Sequence, residues 1–318
     1  MKKIVVLDGS AVNPGDLSWD ELAALGDLTV YDDTETAQVA ERVRDAAYVL
    51  TTKTPVRAET IAASPELEYI GTLSTGYNQV DIDDAREHGI PVSNIPTYGT
   101  RAVAQLAIAL LLEVCHHVAA HSEATLDGRW LASPTLSFWE YPLIELDGKT
   151  MGILGYGRIG KTAAEIAKAL GMKILAEARH GETESDGIAE FTDRESLLAE
   201  SDVISLHLPL TPDTKDIINR DTIAQMKDGV IIINTARGPL VVEEDMTEAL
   251  KSGKVYYYAT DVVRKEPLRP DNPLIDAPNR FITPHIAWAP KETRGRLLGI
   301  AIDNLKAFIE GEPQNVVN

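Results

Sequence analysis

The sequence predicts an α/β protein with two Rossmann-like or flavodoxin-like parallel-sheet domains and a cleft between them. Three observations predict it. Short runs rich in Val and Ile alternate with helical patterns along the 318 residues. A long apolar helical pattern divides two such series, and the second series opens with a glycine-rich turn from strand to helix. Strands that alternate with helices are typical of a parallel sheet covered on both faces.

The first series contains four predicted strands and four predicted helices, which follow one another in turn. The predicted strands are Ile4 to Leu7, Leu28 to Tyr31, Tyr48 to Leu50 and Tyr69 to Gly71. The predicted helices are Trp19 to Leu25, Thr36 to Arg44, Ala58 to Ala63 and Val80 to His88.

The second series follows one long predicted helix from Arg101 to Leu126 and an irregular, aromatic stretch from Leu131 to Asp147. Its predicted strands are Thr150 to Leu154, Lys173 to Ala176, Val203 to Leu206, Gly229 to Ile233, Val255 to Thr260 and Phe281 to Ile282. Its predicted helices are Ile159 to Leu170, Arg194 to Ala199, Arg220 to Met226 and Glu243 to Lys251.

The domain boundaries are expected near Thr100 and Trp288, at either end of the second series. A last predicted helix, Lys291 to Ile309, follows the final strand of that series and must dock on one of the domains. We expect it to return to the first one. Residues 1–100 with 289–318 are therefore predicted to form one domain, and residues 101–288 the other.

The charge balance argues against nucleic acid and against anionic membrane surfaces as partners. Thirty basic residues face 49 acidic ones, for a formal net charge of −19, whereas phosphate binding needs clustered Lys and Arg. The N-terminus is too short and too soon polar for a signal peptide, so a cytoplasmic location is expected. The one cysteine, Cys115, lies in an apolar helical run and is interpreted as structural. No Cys/His cluster has the spacing of metal ligands, and no metal is expected.

The glycine turn is the strongest local indication of a cofactor. Gly155, Gly157 and Gly160 follow a predicted strand and open a predicted helix, the context that a dinucleotide-binding turn requires. The first glycine permits the tight turn, the second lets the backbone approach a pyrophosphate, and the third lets helix and strand pack closely. The helix N-terminus then faces the phosphates.

The end of the next strand favours NADP over NAD as the cofactor. An acid that binds the ribose hydroxyls of NAD is expected at position 178, but the residue there is Ala178, followed by Arg179. An arginine in place of that acid favours the 2′-phosphate of NADP. Glu177 lies one position early, where alternation points it to the other face of the sheet. A one-residue slip would make it the ribose acid and NAD the cofactor.

Several segments together carry a specific resemblance. They are Ile232 to Leu240 (IINTARGPL), Asp261 to Pro267 (DVVRKEP), Thr283 to Trp288 (TPHIAW), Ser74 to Asn78 (STGYN) and Asn94 to Ala104 (NIPTYGTRAVA). The first three follow the glycine turn in the order and at the spacing of catalytic signatures, and with all five the chain resembles the D-2-hydroxyacid dehydrogenase family over nearly its whole length. Within that family it is most similar to the branch of hydroxypyruvate and glyoxylate reductases, also called glycerate dehydrogenases.

The resemblance implies three catalytic residues that the chemistry also demands. His285 is the expected acid in reduction and base in oxidation, because imidazole exchanges protons near neutral pH. Glu266 would hold the other ring nitrogen of that histidine. Arg237 follows a strand end, and its planar fork suits a carboxylate together with a keto oxygen. The implied reaction moves a hydride between NAD(P)H and C2 of a small 2-keto or 2-hydroxy acid.

The resemblance also implies binding residues in both domains, with residues 1–100 and 289–318 as the substrate-binding domain and residues 101–288 as the dinucleotide-binding domain. For the substrate, it implies backbone N–H groups in the segment Ser74, Thr75 and Gly76, and Lys53 is a further candidate beside Arg237 and His285. The positions implied at the cofactor, besides the three glycines and Arg179, are Thr100, Arg158, Ile159, Pro209, Thr235, Ala236 and Asp261. Asp261 is expected at the carboxamide, and Thr100 near the nicotinamide.

One strand departs from the family pattern. Tyr256, Tyr257 and Tyr258 stand where small residues are usual, so they either reshape the floor beneath the nicotinamide or simply pack differently. A homodimer is expected, because the long apolar helix and the aromatic stretch exceed what one domain needs to bury. Trp139 is the candidate for contact with a partner's active site. Alternatives are a D-lactate or phosphoglycerate type dehydrogenase, and a nucleotide-sensing interaction protein on the same scaffold.

Overall fold

The computed structural model of the protein describes residues 1–178 and 185–318. The chain forms two compact units, one made of Met1–Gly99 with Trp288–Asn318 and the other of Thr100–Ala287. One unit contains a five-stranded sheet and the other a seven-stranded sheet. Every strand pair described in either sheet is parallel. The predicted α/β class with two parallel-sheet domains is confirmed.

The first unit contains a sheet with the strand order 2-1-3-4-5. Its strands are β1 Lys3–Val6, β2 Asp27–Val30, β3 Tyr48–Thr51, β4 Tyr69–Thr72 and β5 Val92–Ser93. The central strands are buried on both faces, as helices on the two sides of a parallel sheet require. Four of the five strands lie within one residue of their predicted positions. The fifth was not predicted, because two residues carry no periodic pattern.

The helices of the first unit are short. They are α1 Asp20–Ala23, α2 Val39–Val43, α3 Ala58–Ala62 and α4 Ile82–Glu87. Their predicted counterparts are longer mainly because irregular turns extend them. The residues Thr36–Gln38 before α2, for example, form a separate 3-10 turn that a capping box of Glu35 and Gln38 holds.

The second unit contains a doubly wound sheet with the strand order 12-11-10-9-6-7-8. Its strands are β6 Thr150–Leu154, β7 Lys173–Glu177, β8 Glu190–Thr192, β9 Val203–Leu206, β10 Val230–Asn234, β11 Val255–Thr260 and β12 Arg280–Ile282. The order reverses between β6 and β9, which is the switch point where sheets of this kind bind ligands. The edge strand β8 was not predicted, because it is short and mostly polar.

The helices of the second unit correct one sequence prediction. They are α5 Thr100–His116, α6 Val118–Leu126, α7 Arg158–Ala169, α8 Arg194–Glu200, α9 Arg220–Gln225 and α10 Glu243–Ser252. The single helix predicted from Arg101 to Leu126 is wrong, because His117 takes a left-handed backbone with a φ of 46°. Its buried ring stacks on Tyr141 with a centroid distance of 4.4 Å, which stabilises the break.

In the part of the chain that the structure describes, no single helix is long and apolar enough to cross a bilayer. Helices α5 and α6 reach the necessary length and composition only when taken together, and a bend of 52° separates them.

The last helix, α11 Lys291–Ile309, completes the core of the first unit. Leu297 and Leu305 are fully buried in a cluster that also contains Ile4 and Tyr69. Phe308 stacks on the Tyr69 ring at a centroid distance of 5.0 Å. The two ends of the chain therefore share a hydrophobic core in the first unit, and the continuous stretch between them forms the second unit.

Candidate active site

The candidate site residues of the second unit follow the carboxyl ends of its strands. Gly155 follows β6, Pro209 lies three residues beyond β9, Thr235 follows β10, and Asp261 follows β11, while His285 lies three residues beyond β12. In a parallel sheet these ends share one edge, and that edge is where ligands bind.

The glycine turn has the geometry that each of its glycines predicts. Gly155 has a φ of 96°, and a Cβ added there would lie 2.6 Å from the backbone carbonyl of His207. A Cβ at Gly160 would lie 2.3 Å from the Gly155 oxygen, so this glycine lets α7 pack on the turn. A Cβ added at Gly157 would meet no atom within 4 Å, so this side of the turn leaves room for a phosphate.

The residues that remain open at this edge fit a dinucleotide. Gly157 precedes α7 and offers no side-chain cap to the helix N-terminus, whose first turn contains Arg158 and Ile159. The Thr235 hydroxyl is buried and has no hydrogen-bond partner among the described residues. A buried hydroxyl without a partner is costly. A bound nucleotide would supply the missing partner, so the residues present fit such a cofactor.

The other cofactor candidates differ in exposure. Pro209 is exposed, Ala236 is half-buried, and Thr100 is the first residue of α5. The backbone oxygen of Pro209 accepts a hydrogen bond of 2.6 Å from the Thr214 hydroxyl, which fixes the turn after β9. Their contacts with a cofactor remain predictions.

His285 and Glu266 form a hydrogen-bonded pair. The distance from Nδ1 of His285 to Oε2 of Glu266 is 2.7 Å. An ionised carboxylate only accepts hydrogen bonds, so the proton of the neutral imidazole lies on Nδ1 and Nε2 is left to exchange a proton with a substrate. The second carboxylate oxygen accepts the backbone N–H of Val263 at 3.2 Å, which holds Glu266 in place.

The electrostatics keep Glu266 ionised. Burial works to raise the pKa of its carboxyl, but the hydrogen bond and charge of His285, the Val263 N–H and the charge of Arg237 together hold that pKa below its ordinary value. Arg237 itself is exposed, with one guanidinium nitrogen 2.7 Å from the Ala236 backbone oxygen. The second unit thus contains the predicted acid, its orienting carboxylate and a cation.

The Asp261 carboxylate holds the loop that contains His285. Its Oδ1 accepts the Thr283 hydroxyl at 2.6 Å and the Ile286 N–H at 2.8 Å, while Oδ2 accepts the Ala287 N–H at 2.8 Å. His285 has a φ of 55°, which few residues other than glycine adopt. Because Asp261 is almost fully buried, these bonds give it a structural role beside the predicted contact with a carboxamide.

A second buried carboxylate supports the Glu266 loop, and sequence reasoning missed it. Glu243 accepts the backbone N–H of Arg264 at 2.8 Å and the Asn272 amide at 3.0 Å. On the other side of that loop, a Cβ at Gly238 would lie 2.0 Å from the carbonyl carbon of Val263. The turn that contains Arg237 therefore packs directly on the loop that leads to Glu266.

In the first unit, a buried carboxylate holds the turn that contains Lys53. Asp8 accepts the backbone N–H groups of Thr52 at 2.7 Å, Lys53 at 2.7 Å and Thr54 at 2.8 Å. These N–H groups are occupied, so only the Lys53 side chain can serve an anion. Its amine lies 3.2 Å from an oxygen of Asp33, and both side chains are about two-thirds exposed.

The segment Ser74, Thr75 and Gly76 is fixed by its own side chains and by Gln79. The Gln79 amide donates to the Ser74 hydroxyl at 3.1 Å and to the Thr52 carbonyl at 3.0 Å, so it joins this segment to the Lys53 turn. Within the described residues, the backbone N–H groups of Thr75 and Gly76 donate no hydrogen bond. They are free to bind a carboxylate, as the sequence predicts.

At the end of β7, Glu177 is already engaged. One of its carboxylate oxygens lies 2.8 Å from Nε and 2.8 Å from a terminal nitrogen of Arg194. Arg179, the residue predicted to bind a 2′-phosphate, lies outside the described residues. Among residues 1–178 and 185–318, no three His, Cys, Asp or Glu side chains are grouped so as to hold a metal ion.

A glycine turn at the switch point of a doubly wound sheet, with a His–Glu pair and an arginine at the same edge, defines a nicotinamide-dependent oxidoreductase. Residues 108–287 match the family described as D-isomer specific 2-hydroxyacid dehydrogenase, NAD binding domain. The chain belongs to the D-isomer specific 2-hydroxyacid dehydrogenase family. It is therefore an NAD(P)-dependent enzyme that moves a hydride to or from C2 of a small 2-keto or 2-hydroxy acid.

Relatives of known sequence and structure cover nearly the whole chain. A hydroxypyruvate reductase of Blautia hydrogenotrophica is 54% identical over 99% of each chain. A glycerate dehydrogenase of Methylorubrum extorquens is 38% identical over 99% of each. The crystal structure of the TT0316 protein of Thermus thermophilus matches with a TM-score of 0.85 and 37% identity, covering 99% of this chain and 100% of that one.

Proposed function

We propose that this enzyme reduces hydroxypyruvate or glyoxylate at C2, with NADPH as the preferred hydride donor. The observation that supports it most is the 2.7 Å pair of His285 and Glu266 in the same unit as Arg237. That arrangement provides a proton donor for the keto oxygen and a cation for the carboxylate of a small acid. The names of the similar relatives supply the substrate class.

The proposed mechanism assigns one step to each side chain. When bound, the nicotinamide supplies the hydride that C2 receives. His285 donates the proton on Nε2 to the C2 oxygen during reduction and takes it back during oxidation. Glu266 keeps the ring oriented through its hydrogen bond to Nδ1. Arg237 binds the carboxylate and the C2 oxygen, where negative charge develops as the hydride arrives.

The first unit is proposed to bind the substrate carboxylate. The free N–H groups of Thr75 and Gly76 provide two donors, and Ser74 shapes their turn through a 2.5 Å bond from its hydroxyl to the Gly76 carbonyl. Lys53 adds a positive charge in a protein whose formal net charge is −19. Such a local cation is needed because the overall field repels anionic substrates.

The preference for NADPH rests on the end of β7. Position 178 is an alanine, which cannot bind ribose hydroxyls, and the next residue is Arg179. Glu177 is the alternative ribose acid, but its carboxylate is already paired with Arg194. That pairing supports NADP, since recruiting Glu177 for NAD would break the pair.

A steady-state comparison of the two acids with NADPH and with NADH tests this proposal. We expect kcat/KM to be about tenfold or more higher with NADPH, the typical value of a charge-assisted hydrogen bond. Arg179→Ala should remove most of that preference, while Arg220→Ala, at an exposed arginine elsewhere in the same unit, should keep it. Faster turnover with NADH would refute the cofactor proposal and favour Glu177. Absence of turnover with either nucleotide would refute the substrate proposal.

A homodimer is the proposed assembly. Large apolar side chains of the segment that follows α6 are exposed: Trp130 at 52%, Leu131 at 93%, Leu136 at 90% and Trp139 at 66%. Exposed apolar surface of this extent is typical of a protein interface. Trp139 remains the proposed contact with a partner's active site.

The mass in solution tests the dimer. The wild type should sediment at twice the chain mass of 34.6 kDa, and Leu131→Glu should shift it toward the monomer, because a buried unpaired charge is costly at an interface. The matched control is Ile309→Glu, at an exposed apolar residue of α11. A wild type that sediments as a monomer at micromolar concentration would overturn the proposal.

A further inference from the structure

The three tyrosines of β11 lie in different surroundings. Tyr257 packs on one side of the sheet, with Phe281 at a centroid distance of 4.9 Å and His117 at 5.7 Å. Tyr258 belongs to the core on the other side and is only 1% exposed. Alternation of side chains along a strand accounts for this separation. Tyr256 is skipped in the pairing of β10 with β11 and packs on the same side as Tyr257. Of the three, only Tyr258 lies on the side of Asn234.

Asn234 is the last residue of β10 and organises the turn that leads to Arg237. Its side-chain oxygen accepts the Ala236 N–H at 3.0 Å, and its amide nitrogen donates to the Arg237 carbonyl at 3.0 Å. The same nitrogen donates its second hydrogen to the Tyr258 hydroxyl at 3.3 Å. Asn234 is fully buried, so water cannot replace any of these partners.

The register of the two strands explains why Tyr258 can reach this amide. Tyr258 pairs with Ile232, and Asn234 pairs with Thr260, two residues further along β11. Residues two apart in a strand share a face, and diagonal neighbours lie within reach of a long aromatic side chain. A small residue at position 258 would leave the second amide hydrogen of Asn234 without this partner.

We propose that Tyr258 is a positioning residue for Arg237, because its hydroxyl anchors the Asn234 amide that holds the Arg237 turn. A flipped amide would place its oxygen against the Arg237 carbonyl and its nitrogen against the Ala236 N–H, and both contacts are repulsive. These two backbone contacts set the orientation of the amide, and the Tyr258 hydroxyl holds the amide in place by accepting its remaining hydrogen. The inference rests on the proposed role of Arg237 in substrate binding.

Burial keeps the Tyr258 hydroxyl neutral and raises its pKa to about 12, although hydrogen bonds to Thr260 and Asn234 act in the opposite direction. The hydroxyl therefore remains the same hydrogen-bonding group throughout the pH range in which the enzyme would be assayed.

Tyr258→Phe tests the proposal because it removes the hydroxyl and keeps the ring. We expect faster amide hydrogen exchange in a peptide that covers residues 235–238, and a loss of about fivefold in kcat/KM for the keto acid, the scale of a small misplacement of a catalytic group. The KM for NADPH should change less than twofold. The control is Tyr257→Phe, on the other face of the same strand, which should change neither exchange nor kinetics.

A double-mutant cycle separates positioning of Arg237 from general loss of structure. In an Arg237→Lys background, Tyr258→Phe should have little further effect on kcat/KM, since both changes act through one contact. Asn234→Asp, which keeps the acceptor for Ala236 and loses both donors, should reproduce the faster exchange. Unchanged exchange in Tyr258→Phe, or an equal loss in both backgrounds, would overturn the proposal. The exchange measurement needs no substrate, so it stands even if the proposed substrates are wrong.

Discussion

Replacing His285 with asparagine is expected to lower kcat for keto-acid reduction by about three orders of magnitude, the usual value of a positioned general acid. Asparagine can still hydrogen-bond to the Glu266 carboxylate, but it cannot donate a proton and recover it. The loss should appear in kcat, because the carboxylate-binding groups remain. NADPH binding, followed by its fluorescence, should be unchanged. Stopped-flow measurement of a single turnover would show whether the hydride step is the one that slows.

The matched control is His88→Asn, at an exposed histidine that follows α4 and whose ring bonds to the Asp84 carbonyl. It should leave every kinetic constant within twofold. If His285→Asn kept turnover near that of the wild type, the proton would come from another group and the role of the His285–Glu266 pair would be wrong.

Replacing Arg237 with alanine is expected to have the second large effect on keto-acid reduction. We expect kcat/KM to fall by about a thousandfold, since one group both binds the carboxylate and stabilises the charge that develops on the C2 oxygen. Arg237→Lys should recover only part of the activity, because an ammonium group cannot offer two parallel donors. Added guanidinium should partly rescue the alanine variant and leave the lysine variant unchanged.

The two variants are expected to differ in their kinetic signature. Arg237→Ala should raise the KM for the keto acid as well as lower kcat, whereas His285→Asn should act on kcat. Arg220→Ala serves again as the control, because that side chain is 79% exposed and pairs with Asp245 on the surface. An unchanged KM in Arg237→Ala would contradict its assignment to the substrate carboxylate.

Local patterns predicted most of the fold. Buried parallel strands are continuous apolar runs, so the sequence alone predicts ten of the twelve strands found in residues 1–178 and 185–318. The two exceptions, β5 and β8, have two and three residues and carry too little pattern. The break at His117 lacks a glycine or proline signal, and a stacked ring from Tyr141, farther along the chain, stabilises it. No local rule can predict such a contact.

The candidate site also has a part that the sequence predicts and a part that it does not. His285, Glu266 and Arg237 lie in recognisable motifs, and the spacing of the three glycines predicts the turn. The buried residues that hold these groups in place lie in no recognisable motif. Asp8 holds a turn more than 40 positions along the chain, and Glu243 holds the backbone of Arg264, 21 positions away. A buried carboxylate or tyrosine in a sequence does not reveal which distant backbone it will meet.

The first unit takes its core from both ends of the chain, and this bears on how the protein is synthesised. The ribosome releases β1 to β5 early, but Leu297 and Leu305 of α11 leave it only after all of Thr100–Ala287. The continuous second unit can fold as soon as it emerges, whereas the N-terminal sheet must wait with one apolar face uncovered. Such a nascent chain would benefit from chaperone protection until its last helix is released. The discontinuous core thus sets an order of folding in which the part of the protein made first is finished last.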